Sequence, residues 1–211
     1  MAEFSLRCFA ESGNAYKAAL MLELCGADWQ PEGVAFFSGE TRSAEYRELN
    51  VMGEVPVLIH HREDGDLTIS QSGVILIHLA KRFGRFGAET EDEERDILRW
   101  ILFDNHKLTG NLAAARFMYK FLKKTDDPAT KFLLDRTAGA MKILNTHLAD
   151  RQWVAADRAT IADLSLCGYL FWPEHIDADW SDYPHMNAWL DRIRALPGWK
   201  MPEDLMPSGM N

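Results

Sequence analysis

An α/β domain followed by an all-α domain is the fold class this sequence predicts, and three observations predict it. Up to residue 83, short β-rich runs alternate with helical ones. Residues 84–94 (Gly-Arg-Phe-Gly-Ala-Glu-Thr-Glu-Asp-Glu-Glu) carry the one marked shift in composition, glycine giving way to an acidic run. From Arg95 onward, apolar residues recur at spacings of three and four with no strand pattern. The expected division is 1–83 for the α/β domain, 84–91 for a linker and 92–211 for the helical domain.

In chain order, Glu3 to Phe9 alternates and predicts a strand, which Ala10-Glu11-Ser12-Gly13 brings to a corner. Asn14 to Cys25 predicts a helix with Ala15, Ala18, Ala19, Leu22 and Cys25 on one face and Gly26 as its stop. Trp29 to Phe36 reads as a second strand, around Pro31. Ser43 caps a short helix carrying Tyr46 and Leu49. Pro56–His60 and Leu67–Ser70 form a hairpin about Asp64-Gly65, a favoured turn pair. Val74 to Phe83 closes the domain as a helix. The order βαβ, then αββα, is thioredoxin-like. In the second domain a long amphipathic stretch carries Ile97, Ile101, Leu108, Leu112 and Phe117. The next helix repeats Leu133, Thr137, Ala140, Met141, Leu144 and Leu148. Thr160-Ile161-Ala162-Asp163 predicts a capped buried helix, and Met186, Trp189, Leu190, Ile193 and Leu196 face inward on the last.

Composition narrows the function. Lys+Arg 23 against Asp+Glu 32 gives a net charge of −9, which argues against nonspecific binding to nucleic acid or anionic membranes. No apolar run reaches the roughly 18 residues of a membrane span. No signal peptide is expected at Met1-Ala2-Glu3-Phe4-Ser5-Leu6-Arg7. Cys8, Cys25 and Cys167 are isolated, without metal-type spacing, so a reducing, cytoplasmic setting and no metal are expected. No dinucleotide fingerprint or P-loop is present.

The distinctive stretch is Gly53-Glu54-Val55-Pro56-Val57-Leu58, followed by Gln71-Ser72-Gly73-Val74-Ile75-Leu76. A cis Val55-Pro56 bond would leave the Val55 N–H and C=O for a partner outside the sheet. Gln71 and Ser72 stand at a helix start, where free N–H groups and the positive dipole end suit a carboxylate. Together they suggest a site for a small acidic peptide.

Asn50-Val51-Met52-Gly53-Glu54-Val55-Pro56-Val57-Leu58 and the Gln71-Ser72 stretch, in this order and spacing, resemble the glutathione-binding half of cytosolic glutathione S-transferases. Ser12-Gly13-Asn14-Ala15-Tyr16-Lys17 resembles the serine-type, bacterial-like members. The resemblance implies glutathione as co-substrate, a homodimer, a detoxification role and attack of the glutathione thiol on a small hydrophobic electrophile. It implies Ser12 as the hydroxyl that holds the thiolate; Ser12 acting only as a helix cap, and Asn14 taking the role, stay open. Val55, followed by Pro56, would pair with the cysteinyl part, Gln71 and Ser72 would hold the γ-glutamyl end, and Glu54 would flank the peptide. Arg42 would meet the glycyl carboxylate, and Asp104 would supply a charge from a neighbouring subunit. The electrophile pocket would use Ala10, Asn105, Thr109 and Arg116. Cys8 offers a second, less favoured thiol chemistry. Two departures stand out: Val51 replaces the usual first proline of the loop, and Gln71 replaces the commoner acid. The alternatives are a glutathione-dependent peroxidase, disulfide reductase or isomerase, or a non-catalytic binding module. The doubled-serine-cysteine signature of the isomerases is absent.

Overall fold

The computed structural model describes residues 2–210. The chain forms two compact units, Met1–Arg85 with Leu196–Asn211, and Phe86–Ala195.

The first unit holds a four-stranded sheet in the order β2-β1-β3-β4. The strands are β1 (Phe4–Cys8), β2 (Trp29–Gly33), β3 (Val57–His60) and β4 (Leu67–Ser70). Strand β1 pairs in parallel with β2, Leu6 opposite Pro31, and antiparallel with β3, Leu6 opposite Leu58. A parallel pair needs a crossover, and α1 (Gly13–Leu24) supplies it. Pro31 sits on β2, an edge strand, where the missing N–H costs no ladder bond. That strand ends at Gly33, short of the expected Phe36, because the chain turns into two short 3₁₀ turns before α2 (Ala44–Leu49). The β3–β4 hairpin closes at Gly65, whose φ of 115° a residue with a side chain rarely adopts. Helix α3 (Ser72–Phe83) follows β4 directly and packs against α1. Phe4, Leu6, Leu20, Leu22, Leu58, Leu76 and Leu79 are wholly buried, each aliphatic one favouring the fold by roughly 1.5–3 kcal/mol.

The second unit is helical: α4 (Glu91–Phe103), α5 (Thr109–Arg116), α6 (Pro128–His147), α7 (Ile161–Leu166) and α8 (Pro184–Arg194). Helix α4 starts at the predicted acidic run, capped by Thr90, whose Oγ1 accepts from Glu93 N. Helix α7 is buried along its whole length and carries the expected capping box between Thr160 and Asp163. Met186, Trp189, Leu190 and Ile193 of α8 face the core as predicted, whereas Leu196 lies beyond the helix and is half-buried. After α8 the chain returns to the first unit with α9 (Pro202–Leu205). Among the described residues no helix is long and apolar enough to cross a membrane.

The long helix departs from a plain 3.6-residue repeat. Wide π-turns occupy Asp104–Leu108 and Phe117–Phe121, on either side of α5. Each adds a residue to a turn and rotates everything after it.

Candidate functional site

Helix starts meet loop backbone at one end of the first unit. Ser12 caps α1 in an extended conformation, and its Oγ accepts from Ala15 N at 3.1 Å. Accepting that bond uses an oxygen lone pair and leaves the hydroxyl proton to donate. Capping and thiolate binding are therefore compatible in one side chain. Asn14, two residues on, stands with its Oδ1 3.5 Å from the Ser72 hydroxyl. That contact joins the first turn of α1 to the first turn of α3.

Neither first turn contains an acidic side chain, whereas the first turn of α4 contains four. A carboxylate in the first turn offsets the positive dipole end of a helix. Here two such ends lie together without one, which favours an anion between them. Gln71 precedes α3 with φ at 69°, a left-handed conformation uncommon for a residue with a side chain. Its Nε2 donates to Glu54 Oε2 at 3.0 Å and lies as close to Met52 Sδ. Gln71 thus ties the helix start to the loop that leads into β3.

In that loop the Val55-Pro56 bond is cis. Val55 precedes β3, and among the described residues its N–H and C=O have no backbone partner. The peptide unit before it is held firmly. The Glu54 carbonyl accepts from Asn50 Nδ2 at 2.8 Å and from the Tyr46 hydroxyl at 3.1 Å. Asn50 Oδ1 also accepts from Met52 N. Tyr46 is buried against Val34 and Val57, and burial pushes its phenol up to about 12, so it acts only as a neutral donor. Sequence reasoning missed Tyr46, and gave Asn50 a place in the motif but no task. The signal for Asn50 was its position four residues before Glu54.

The cations stand as follows. Arg42 is exposed and ends a 3₁₀ turn. A Cβ on Gly53 would lie 2.7 Å from Thr41 O and 3.5 Å from Arg47 Nη2, so the turn bearing Arg42 and the helix bearing Arg47 both close on this loop. Arg47 was not foreseen. Cys8 is fully buried and its thiol is pushed up to about 12 by burial, so it stays protonated and takes no part in thiolate chemistry.

Ala10 is buried, and its N–H donates to Pro207 O at 2.8 Å, so a returning segment covers it. Asp104 is wholly buried in the helical unit, accepting from Thr109 Oγ1 and Ser165 Oγ at 2.6 Å each. A carboxylate so engaged is turned inward and is not offered to a neighbouring subunit. Thr109 is spent on the same contact. Asn105 is exposed, while Arg116 is buried with its guanidinium 4.3 Å from the Trp172 ring centre and Nε 2.8 Å from His175 Nδ1. Thr109 and Arg116, seven residues apart on α5, are both buried on one face, whereas Asn105 is exposed and stands off it. The π-turn at Asp104–Leu108 breaks a plain helical spacing between Asn105 and Thr109.

Among the described residues no three His, Cys, Asp or Glu side chains gather as a metal site.

Two family models match the chain: the glutathione S-transferase N-terminal domain over residues 12–82, and the glutathione S-transferase C-terminal domain over residues 110–197. Among curated proteins it is similar to glutathione S-transferase 1 of Schizosaccharomyces pombe, 26% identical with 95% of each chain covered. It is also similar to the disulfide-bond oxidoreductase YfcG of Escherichia coli, 24% identical over 90% of this chain and 89% of that one. Among solved structures, a glutathione S-transferase from Xanthobacter autotrophicus superposes with a TM-score of 0.86. It is 30% identical and covers 95% of this chain and 98% of its own.

Proposed function

The chain belongs to the glutathione S-transferase family, and from that premise we propose that it binds glutathione in its first unit and activates the thiol with Ser12. The observation that carries the reading is the meeting of two acid-free helix starts, at Ser12 and Ser72, beside the Val55 backbone, which has no backbone partner among the described residues. In this reading Val55 pairs with the cysteinyl amide, and Ser72 and the α3 N–H groups hold the γ-glutamyl carboxylate. Gln71 and Glu54 flank the γ-glutamyl ammonium, Glu54 supplying the charge that Gln71 lacks. Arg42 and Arg47 are the cations for the glycyl carboxylate.

The chemistry follows from magnitudes. A free thiol titrates near 8.5 and reacts as its thiolate. Lowering the pKa by two units requires about 2.7 kcal/mol of preference for the anion. A hydrogen bond from Ser12 to the charged sulfur is worth about 1.5–3 kcal/mol. The start of α1 adds about 0.3–1 kcal/mol. Hydroxyl and helix together suffice, with Asn14 as the second donor at the same corner. The thiolate then attacks a small hydrophobic electrophile, displacing a leaving group or opening a strained ring.

A second reading, thiol–disulfide exchange, is favoured by the similarity to a relative named as a disulfide-bond oxidoreductase. There the same thiolate attacks a disulfide sulfur and releases a thiol. A second glutathione thiolate then resolves the mixed disulfide and leaves as oxidised glutathione. We propose a homodimer in either case. Calorimetry with glutathione tests binding, and a panel of aryl halides, epoxides, hydroperoxides and disulfides separates the reactions. No heat of binding at millimolar glutathione would leave only a non-catalytic module.

A further inference from the structure

We propose that Glu11 is a positioning residue for Ser12, acting through a strap made by residues 207–209; the proposal rests on the glutathione reading of Ser12. Glu11 immediately precedes Ser12 in the corner between β1 and α1. Its carboxylate accepts from Ser208 Oγ at 2.7 Å and from Gly209 N at 2.9 Å. One residue earlier, Ala10 N donates to Pro207 O at 2.8 Å. Two residues earlier, Phe9 lies against Gly209 so closely that a Cβ there would stand 2.9 Å from its Cβ, Cγ and Cδ2. Three successive corner residues are thus fastened to three successive strap residues.

The strap is the end of a continuous run along α1. Lys200 Nζ pairs with Glu23 at 2.6 Å near the end of α1, and Lys200 O accepts from the Tyr16 hydroxyl at 2.8 Å. Helix α9 then buries Pro202 and Leu205, and Met206 is buried after it. Pro207 packs toward Gly33 at the end of β2, where an added Cβ would come within 3.1 Å. The run therefore passes from the far end of α1 back to the corner that opens it.

The physical need is positional. Within the corner itself, Ser12 N donates to Phe9 O at 3.0 Å. A hydroxyl that stabilises a thiolate has to be held within about 0.5 Å of its productive place. A carboxylate taking two donors from the strap fixes Glu11 on one side of Ser12, as the first turn of α1 fixes the other. Val55, Gln71 and Ser72, which hold the peptide in this reading, belong to other segments. Loosening the strap should therefore change the thiolate more than the affinity.

Two variants approach the strap from opposite sides. Glu11→Ala removes the acceptor, and Gly209→Val drives the strap away from Phe9 while leaving Glu11 in place. Hydrogen exchange at the Ala10 and Gly209 amides reads the strap without any ligand. In both variants protection at these amides should fall about tenfold or more. The pKa of bound glutathione, followed by thiolate absorbance, should rise by about 0.5–1 unit. The dissociation constant at pH 6 should change by less than about threefold, so that kcat falls with KM nearly constant. Glu11→Gln, which keeps one acceptor oxygen, should restore part of both signals. Lost protection with an unmoved thiol pKa would make the strap structural only and overturn the proposal, as would full protection in both variants. Failure of the unaltered chain to bind glutathione would bring down the glutathione reading, and the positioning role with it, while exchange still reports the strap.

Discussion

The hydroxyl of Ser72 lies 3.5 Å from Oδ1 of Asn14, and this contact links the starts of α1 and α3 at the corner that carries Ser12. Three polar side chains and two positive helix ends thereby serve one small volume. Ser12→Ala should raise the pKa of bound glutathione by about one to two units, the loss of a charged hydrogen bond of about 1.5–3 kcal/mol. Binding near pH 6, where the neutral thiol predominates, should change much less. Ultraviolet titration of the complex reads both. A pKa that moves in Asn14→Ala but not in Ser12→Ala would transfer the role to Asn14.

Asn50 acts one step behind the peptide edge. Its side chain holds the Glu54 carbonyl and the Met52 N–H, and it is almost fully buried. Asn50→Ala should cost roughly 1–3 kcal/mol of stability, because it leaves the Glu54 carbonyl to Tyr46 alone. In the glutathione reading it should also weaken binding, since Val55 follows in the next peptide unit. Calorimetry finding unchanged affinity in a destabilised Asn50→Ala would dissociate the loop from the site.

How far the sequence could be read depended on whether a feature was local. The order of strands and helices, the cap at Ser12 and the box at Thr160 and Asp163 follow from short-range patterns, and the structure has them. An unbroken helix would put Asn105 on one face with Thr109 and Arg116, but the π-turn at Asp104–Leu108 moves Asn105 off it. Asp104 looked like a surface acid because its two partners lie at Thr109, across the π-turn, and at the distant Ser165. The strap was invisible for a similar reason. Glu11 and Gly209 are far apart in sequence, and neither belongs to a periodic pattern.

Assembly gives a separate test. On α4, Ile97, Trp100 and Ile101 are buried, but Leu98 and Leu102 remain 46% and 58% exposed. They are four residues apart and so lie on one face of α4, which in the homodimer proposed above would meet its copy across the two-fold axis. Light scattering at micromolar concentration should give twice the 24.0 kDa chain mass. Leu98→Lys with Leu102→Lys should shift it to the single-chain mass. A monomeric unaltered protein would refute the dimer outright.

Asp163 is a stability test independent of glutathione. Its Oδ1 accepts from Val154 N at 3.0 Å and Trp189 Nε1 at 2.9 Å, and its Oδ2 from Thr160 N at 2.8 Å and Thr160 Oγ1 at 3.1 Å. Burial pushes the carboxyl pKa up, while these donors pull it down. Asp163→Ala leaves several buried donors without an acceptor, each costing about 1–3 kcal/mol. The expected loss is roughly 3–5 kcal/mol, the range for a broken buried charge network. Urea unfolding with an unchanged slope would measure it, and a loss below about 1 kcal/mol would contradict the account.

The last test uses pH. His175 accepts on Nδ1 from Arg116 Nε at 2.8 Å, which places the ring proton of the neutral form on Nε2, 3.3 Å from Glu174. The ring stacks on Trp172 with centres 5.8 Å apart and planes 7° from parallel. Burial first, then the charges of Arg116 and Lys120, lower its pKa from 6.5 to about 3. Glu174 pulls the other way, but its side chain is 65% exposed and screened. Between those two values the unfolded chain binds the proton and the folded chain does not, so stability falls as the pH falls. The contribution is complete above pH 6.5 and is lost progressively toward pH 3. The full shift would give a loss of about 2.7 kcal/mol at pH 4.5, and solvent screening around the part-buried ring lowers the expected loss to on the order of 2 kcal/mol. His175→Gln has no proton to take up, so it should be less stable at pH 7.5 but lose less than the unaltered protein on acidification to pH 4.5. Urea unfolding of both proteins at the two pH values supplies the comparison, and equal losses would mean that His175 is protonated in the fold.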